Sequence, residues 1–523
     1  MKKLIFTFLS LLLISAHTFA QGEIDAQRFS REGLYGTARA MGMGGAFGAL
    51  GGDQTGVSIN PAGIAVYRSS EVVGTLGFMQ ERSTVGDLKK SVNKFDFDNL
   101  GFVGYFPLRS DAIPMINFGF TYNKLKSFDK DFSALGAGDH RLIDYIADRS
   151  SAWGGNPVSL EMGENKPDPF LQPNIPWLSI LAFNSYLIDD KVDDQGYFYT
   201  PLSTGGEKPK NQIISRERGY IDNYDFTIGT TINNVVNLGM SLSVKSIFHS
   251  LGTDYWEDFN NGNYGLLNSL TTTGAGFSAK FGAIYRPVNA VRIGLAYHTP
   301  TWYSLTETFE AAMDDDMGAY VQDPNYEKAR TVSRRVDNFY DLKTPGKIVA
   351  SLAGVLGNSF IVSADYELVN YKNMKLSVPS SSGDNASHYA NDNEYISTDF
   401  KPASTIRLGM EYRFTPQFSG RLGYAWMQNP YETKFAENAN AGIVGSNTIF
   451  RVEGDTNYFT GGLGYRFNRN FFVDLAVVYQ TQSDDLYPFP NVYNEAGQKV
   501  INATPFTLTN NSIRGLVTLG YKF

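Results

Sequence analysis

Over residues 471–480 the polarity of the chain switches at every step. Phe471, Val473, Leu475, Val477 and Tyr479 share one face, while Asp474, Ala476 and Gln480 share the other. A period of two is that of a β-strand. A run of about ten such residues is what a tilted strand needs to cross a bilayer with hydrocarbon on one side and a wet lumen on the other. Segment 359–369 sets Phe360, Val362, Ala364, Tyr366 and Leu368 against Ser363, Asp365 and Glu367, and 418–427 sets Phe418, Leu422, Tyr424 and Trp426 against Ser419 and Arg421. Comparable runs fall near 70–82, 94–107, 112–126, 218–232, 235–250, 273–287, 291–309, 345–356, 401–414, 456–468 and 511–523. That makes about fourteen strands, an even number, as single-chain bacterial barrels have. The expected fold class is all-β: a transmembrane antiparallel β-barrel.

The connections support the same reading, because such barrels alternate short turns with long loops. Short joins fall at 107–112, 233–234, 287–290, 357–358, 415–417 and 468–470, and long ones at 83–93, 127–217, 251–272, 310–344, 371–400, 428–455 and 482–510. Strands that run toward the short-turn side end in Tyr285-Arg286-Pro287, Tyr412-Arg413-Phe414, Tyr465-Arg466-Phe467 and Tyr521-Lys522-Phe523. Aromatics two apart point the same way and form an interfacial girdle, with the basic residue turned to the lumen or rim. The terminal Phe523, on a face with Ile513, Val517, Leu519 and Tyr521, is expected to be read by the outer-membrane assembly machinery.

The N-terminus carries Lys2 and Lys3, an apolar run Leu4–Ile14 and Thr18-Phe19-Ala20, the layout of a secretory signal peptide over 1–20. The apolar run is too short to span a bilayer, and no later stretch is long enough to do so as a helix. The chain has no cysteine, so disulfides, thiolate metal sites and a lipid-modified cysteine are excluded. A net charge of −8 argues against a nucleic-acid partner. Aromatics at 14% and 52 glycines, beside only 19% charged residues, suit a barrel with a greasy outside and polar inside.

Residues 21–69 do not alternate. Gly33 to Asp53 is dense in Gly and Ala, which permit tight turns and close backbone packing. A barrel of about fourteen strands leaks unless filled, so a compact N-terminal plug, or hatch, is expected ahead of a barrel over 70–523. Gly36-Thr-Ala-Arg-Ala-Met-Gly-Met-Gly-Gly-Ala46, followed by Ser58-Ile-Asn60-Pro61-Ala62-Gly63, resembles the FadL-type family of outer-membrane transporters for long-chain fatty acids and aromatic hydrocarbons. Gly294-Leu-Ala-Tyr-His-Thr-Pro-Thr301 and Leu342-Lys-Thr-Pro-Gly346 look like that family's strand and loop patterns. The resemblance implies fourteen strands stoppered by the hatch, no nucleotide or electron chemistry, and diffusion of hydrophobic ligands through a side opening. This chain departs in being longer, mostly in loop 127–217, which leaves the ligand and outer mouth open.

A passive carrier needs an apolar entry surface, a lumen site with an occasional polar handle, and a gate. Asn60, Pro61 and Ala62 are the candidate gate: Asn60 bonded to the inner wall, Pro61 fixing the backbone near the exit, with an ordinary Asn-Pro turn as the plain alternative. Lumen-facing charges are Lys245, Lys280, Arg292, Asp365, Glu367, Arg407, Glu411, Arg421, Asp474 and Arg514. Mutual pairing is favoured for them, because a charge facing a partly dry lumen needs a counter-ion. The functional alternative is that Arg292, Arg407 or Arg421, beside His298, holds a substrate carboxylate. Ile175, Trp177, Leu178, Leu181 and Phe183, within 173–188, are the candidate capture groove, with a loop helix packed on the barrel top as the equal alternative. No metal site or cofactor is expected: the histidines are scattered, and Gly42-x-Gly44 is followed by Phe47 where a dinucleotide fingerprint has its third glycine. Neither Gly-x-Ser-x-Gly nor His-Glu-x-x-His occurs, so no enzyme is expected.

The expected function is passive diffusion of hydrophobic small molecules across a Gram-negative outer membrane, gated by the hatch. The expected setting is a monomer among outer-membrane lipid and lipopolysaccharide. A general porin, a loop-based adhesin, a haemin-uptake protein and an outer-membrane lipase are the competing readings.

Overall fold

The computed structural model describes residues 22–523 apart from 138–139, 173, 322–325, 329, 358, 380–387, 436–444, 495 and 497. The expected leader, 1–20, lies outside the described residues. Fourteen antiparallel strands pair in chain order into a closed wall. β1 (Glu71–Val85) and β2 (Leu88–Pro107) form the first hairpin, β3 runs as Met115–Ser127 and Lys130–Ala137, and β4 as Lys210–Ile232. β5 (Val236–Phe259) and β6 (Gly262–Val288) are the longest pair. β7 runs as Val291–His298 and Trp302–Asp316, β8 as Arg330–Val332, Val336–Lys343 and Lys347–Leu356, and β9 as Phe360–Asn370 and Lys375–Ser377. β10 (Pro402–Arg413) and β11 (Phe418–Met427) follow, then β12 as Phe450–Val452 and Thr456–Arg466, β13 (Phe471–Tyr487) and β14 (Phe506–Lys522). β14 pairs with β1 from Leu508↔Val85 to Lys522↔Glu71, which closes the barrel and leaves no end edge.

Alternation places side chains as the sequence indicates. Leu475, Val477 and Tyr479 point out while Asp474 and Ala476 are buried, and Leu422 is 59% exposed beside Arg421 at 7%. The Tyr-basic-Phe endings form an outward aromatic belt in which Tyr412 meets Phe414 at 5.0 Å and Tyr465 meets Phe467 at 4.8 Å. The short join after β4 turns on Asn233 and Asn234, with φ of 49° and 57°, a left-handed conformation that asparagine tolerates.

The strands run further toward the loop side than the sequence indicates, and β5 shows why. Up to Phe248 its outward residues are the exposed, apolar Leu238, Met240, Leu242 and Val244, followed by the half-buried Ser246. Beyond it Ser250, Gly252, Asp254 and Asp258 share the outside with Trp256, while the inward set gains Leu251, Tyr255 and Phe259 beside the buried Thr253 and Glu257. Lipid no longer covers the outside there, and the inside now packs on protein, so the polarity pattern inverts although the ladder continues. For the same reason the ends of the expected loop 127–217 are wall strand, at Lys130–Ala137 and Lys210–Glu217. The inverted inner faces bury a cap built around α4 (Leu142–Trp153) and α5 (Trp177–Asn184), whose apolar core also takes in Tyr255, Tyr264, Leu270 and Phe309.

β7 and β8 are both interrupted at prolines, which cannot donate to a ladder. His298 and Trp302 flank Thr299-Pro300-Thr301, and Lys343 and Lys347 flank Thr344-Pro345-Gly346. The breaks lie side by side: Thr344 N donates to Thr301 O and Thr301 N to Thr344 Oγ1, each at 2.9 Å.

Leu408→Arg, in the middle of the outward face of β10, is expected to cost about 2–4 kcal/mol in vesicle-based unfolding titrations. Asp254→Arg, on the extension above the apolar band, should cost less than about 1 kcal/mol in the same assay.

Candidate functional site

Residues 22–70 lie inside the wall. α1 (Glu23–Ser30), α2 (Ala38–Gly42) and α3 (Gln54–Ile59) are short, and each of the latter two starts on a side-chain cap. Thr37 accepts from Ala40 N at 3.3 Å and Asp53 from Thr55 N at 2.9 Å, satisfying amides that a buried helix end would otherwise orphan. Asn60 caps the next turn, Pro61–Val66, by accepting from Ala62 N at 3.1 Å with Pro61 at its start.

The candidate gate residues sit against the wall. Asn60 Nδ2 donates to Gly48 O at 2.7 Å within the hatch and to Ala283 O of β6 at 3.2 Å. The fit leaves no room for a side chain on the wall: a Cβ added at Gly282 would lie 2.0 Å from Asn60 Oδ1, and one at Gly239 would lie 2.3 Å from the Pro61 carbonyl. Two inward glycines on neighbouring strands thus make the seat for Asn60-Pro61.

All ten lumen-facing charges point inward, and most meet partners. Arg421 bridges Glu411 at 2.7 Å and Asp474 at 2.6 Å, and Arg39 of α2 joins the same Glu411 at 3.0 Å. Arg407 pairs with Glu367 at 2.9 Å, and Lys280 with Asp225 at 2.8 Å. Asp365 accepts from Phe47 N and Gly48 N at 3.0 and 2.9 Å. Arg292 donates to Leu50 O at 2.5 Å, His298 Nε2 lies 2.8 Å from Ile59 O, and Arg514 bonds Leu34 O while its guanidinium covers Tyr35 at 3.9 Å. Arg292, His298, Arg407 and Arg421 are therefore engaged by the hatch or by wall carboxylates. They do not converge on one open handle.

The wall has one long interruption in its pairing. β2 and β3 pair from Pro107↔Met115 only as far as Asn99↔Asn123. Beyond that rung β2 pairs with β1 alone, and β3 with β4 alone after a register shift between Lys124 and Lys126. Hydrocarbon cannot satisfy unpaired backbone, so such an edge is tolerated only where protein or water lines it. Ion pairs stand in the break: Lys124 Nζ to Asp96 at 2.7 Å, and Lys94 to Asp129. Phe97 and Tyr122 stack at 5.8 Å on its outer lip.

Behind the break lies a cavity of about 100 Å³, and deeper in the lumen, under the two proline kinks, another of about 60 Å³. Arg31, Glu32 and Gly33 line both, so this stretch between α1 and α2 is the septum between them. It is tied on every side. Arg31 pairs with Glu453 at 2.8 Å, Gly33 N donates to Leu125 O of β3 at 2.8 Å, and Glu32 meets Lys245 of β5 at 2.7 Å and Lys347 of β8 at 2.5 Å. Burial opposes charge on Glu32, yet the two lysines hold its carboxyl well below the usual carboxylate range. A third cavity of about 60 Å³ opens toward the short turns among Arg39, Asp53, Glu71 and Glu411.

Glu32, Lys347 and the Lys124–Asp96 pair are absent from the sequence-derived set. Glu32 carried a signal: a charge in a Gly/Ala-rich segment bound for the lumen must find a counter-ion there. The expected capture groove is turned inside out. Ile175, Trp177, Leu178 and Leu181 are buried in the cap core, Trp177 packing on Phe170 at 5.1 Å and Phe309 at 5.4 Å, and Phe183 is half-buried. An apolar loop segment above the lipid gains more by packing on the inverted faces of β5–β7 than by facing water.

A closed fourteen-strand wall with an internal N-terminal hatch defines an outer-membrane barrel channel. The chain belongs to the family described as outer membrane protein transport protein (OMPP1/FadL/TodX), whose profile matches residues 232–511. It is a family of outer-membrane channels for hydrophobic compounds, not an enzyme family. The crystal structure of a Pseudomonas aeruginosa FadL homologue is similar at 12% identity and a TM-score of 0.50, over 94% of this chain and 99% of that one. The Ralstonia pickettii toluene transporter TbuX (13% identity, TM-score 0.48) and the P. putida toluene transporter TodX (11%, 0.48) each align over 94% of this chain and 99% of theirs. No curated protein matches the sequence.

Two outcomes follow from this geometry. Gly282→Val should unseat Asn60-Pro61, destabilising the hatch by about 1–3 kcal/mol and exposing residues 22–70 to protease in the intact barrel. Glu23, at the start of α1, packs against Asp399 and Asp392 of α6 (Ala390–Asp399), and burial, with those two charges, pushes its carboxyl well above the usual range. A raised acid stabilises below its unfolded value and loses that contribution as pH rises through its folded value. Protection of the α1 amides, referred to the base-catalysed intrinsic exchange rate at each pH, should therefore fall toward alkaline pH in the wild type and stay level in Glu23→Gln.

Proposed function

We propose that the chain is a passive diffusion channel for hydrophobic small molecules, entered through the break between β2 and β3 and gated by the hatch. The observation that carries this reading is the coincidence of the break with the septum: the place where the wall lacks pairing faces the cavity that Arg31–Gly33 closes from behind. The loop-side mouth is filled by the apolar cap core, so the side of the barrel is the less obstructed approach for a molecule dissolved in the membrane.

Size supports gating. A site that buries a drug-sized ligand spans about 300–1,000 Å³, and the three lumen cavities described above have room for only a few waters each at about 60–100 Å³. Passage then needs the septum, and below it the hatch body, to move. The same small, separated cavities weigh against a general porin, whose lumen is a continuous water path. Asn60, Pro61 and Ala62 belong to the part of the hatch that must leave its glycine seat, and Arg292, His298, Arg407 and Arg421 act as ties that hold it closed.

The chain has no cysteine, so an introduced pair gives a single disulfide. A Cβ at Gly48 would lie 3.1 Å from Ser351 Cβ, a few tenths of an ångström from disulfide spacing. Oxidised Gly48→Cys/Ser351→Cys in lipid vesicles is expected to cut uptake of a hydrophobic tracer at least about tenfold, with recovery on reduction. Unchanged uptake by the locked protein would discard hatch gating. Vesicle swelling in sugars at a porin-like rate would discard the hydrophobic channel.

A further inference from the structure

We infer that Lys343 and Lys375, opposite one another on the outer surface of the wall, form a site for the phosphate of an outer-leaflet lipid, a phosphomonoester of the kind lipid A carries. The site lies outside the lumen and stands apart from the proposed channel: it needs only the barrel and its depth in the membrane.

The outward rows on either side of the two proline kinks fix the height of the pair. On the short-turn side, Tyr297, Ile348 and Leu368 stand opposite one another across β7, β8 and β9, and all three are exposed and apolar. On the loop side the row is Trp302, Lys343 and Lys375, again directly opposite in the ladder and exposed. The row above that is Ser304, Asp341 and Ser377, polar throughout. Hydrocarbon therefore gives way to head groups at the kinks, and Trp302 holds the place of an interfacial tryptophan.

Like charges directly opposite on one face of a sheet destabilise it, and side chains so placed have Cβ atoms about 5 Å apart, near enough to reach one phosphate together. Neighbouring acids do not relieve the pair. Asp341, one row up, accepts from Ser304 Oγ at 2.6 Å, and Glu432 has Lys372 at 3.4 Å. Among the described residues neither Lys343 nor Lys375 has a carboxylate partner. Other outward cations above the lipid are matched, Arg216 with Asp254 at 3.4 Å and Arg330 with Asp314 at 3.2 Å. A phosphomonoester carries about −1.5 to −2 charge near pH 7 and three acceptor oxygens. It neutralises both lysines at once, whereas a phosphodiester brings a single charge. With its tails along Ile348 and Leu368, such a lipid presents its phosphate at the level of the pair.

The test titrates the full chain, in mild-detergent micelles and read by native mass spectrometry, with bis-phosphorylated lipid A, the same lipid stripped of both phosphates, and phosphatidylglycerol. Wild type is expected to bind bis-phosphorylated lipid A at least about tenfold more tightly than the stripped form, each lysine near a membrane surface contributing several-fold. Lys343→Gln/Lys375→Gln should bind the two forms alike, and its unchanged binding of the stripped lipid would show that the barrel is intact. Lys89→Gln/Lys90→Gln, near the tip of the first hairpin, removes as much exposed charge and should keep the wild-type preference. Inorganic phosphate, which lacks the tails, should not displace the lipid. A preference that survives Lys343→Gln/Lys375→Gln, or that falls equally in Lys89→Gln/Lys90→Gln, would overturn the site and leave the pair as lysines that snorkel into water. Phosphatidylglycerol bound as tightly as bis-phosphorylated lipid A would overturn the phosphomonoester, and displacement by inorganic phosphate would overturn the lipid.

Discussion

Hydrocarbon offers no hydrogen-bond partner, so every backbone amide and carbonyl at membrane depth must be satisfied within the protein. The rest of the molecule answers to that constraint. It forces the strands into a ring, with β14 returning to β1 over fifteen consecutive rungs. It also makes any interruption conspicuous. Where β2 and β3 part, charged side chains fill the gap, and the carbonyl of Leu125, the residue at the register shift, is taken by Gly33 of the hatch. The stopper is thereby bonded to a stretch of wall that cannot complete its own ladder.

Within the ring, charge does the fastening and glycine sets the distance. Glu411 takes one arginine from the hatch and one from the wall, and Glu32 takes lysines from two strands on its own. Buried pairs of this kind add little net stability compared with apolar packing, but breaking one partner alone is expensive.

Fold class, strand number and the inward direction of ten wall charges were readable from the sequence, because a two-sided solvent imposes a period-two code wherever lipid touches the wall. The code fails where the solvent changes. Above Phe248 the outside of β5 is mostly polar and its inside takes in Leu251, Tyr255 and Phe259, so the upper halves of β4 to β7 read as loop, and the apolar segment Trp177–Asn184 reads as a surface when it is a core. The candidate site was recovered in part. Asn60 and Pro61 stood out through a local motif, but Glu32 draws its meaning from Lys245 and Lys347, more than two hundred and three hundred residues away in sequence. Pairings of that range depend on the closure of the whole ring and leave no local trace.

The height of the interruption on its own strand is informative. Along β2 the outward side chains remain apolar through Phe97 and Phe95 and then turn to Asn93 and Ser91, while pairing with β3 has already stopped at Asn99. The gap therefore straddles the oil–water boundary of the leaflet instead of sitting wholly in either phase. An amphiphile lying against that gap would find oil beside its tail and water beside its charge at one and the same height.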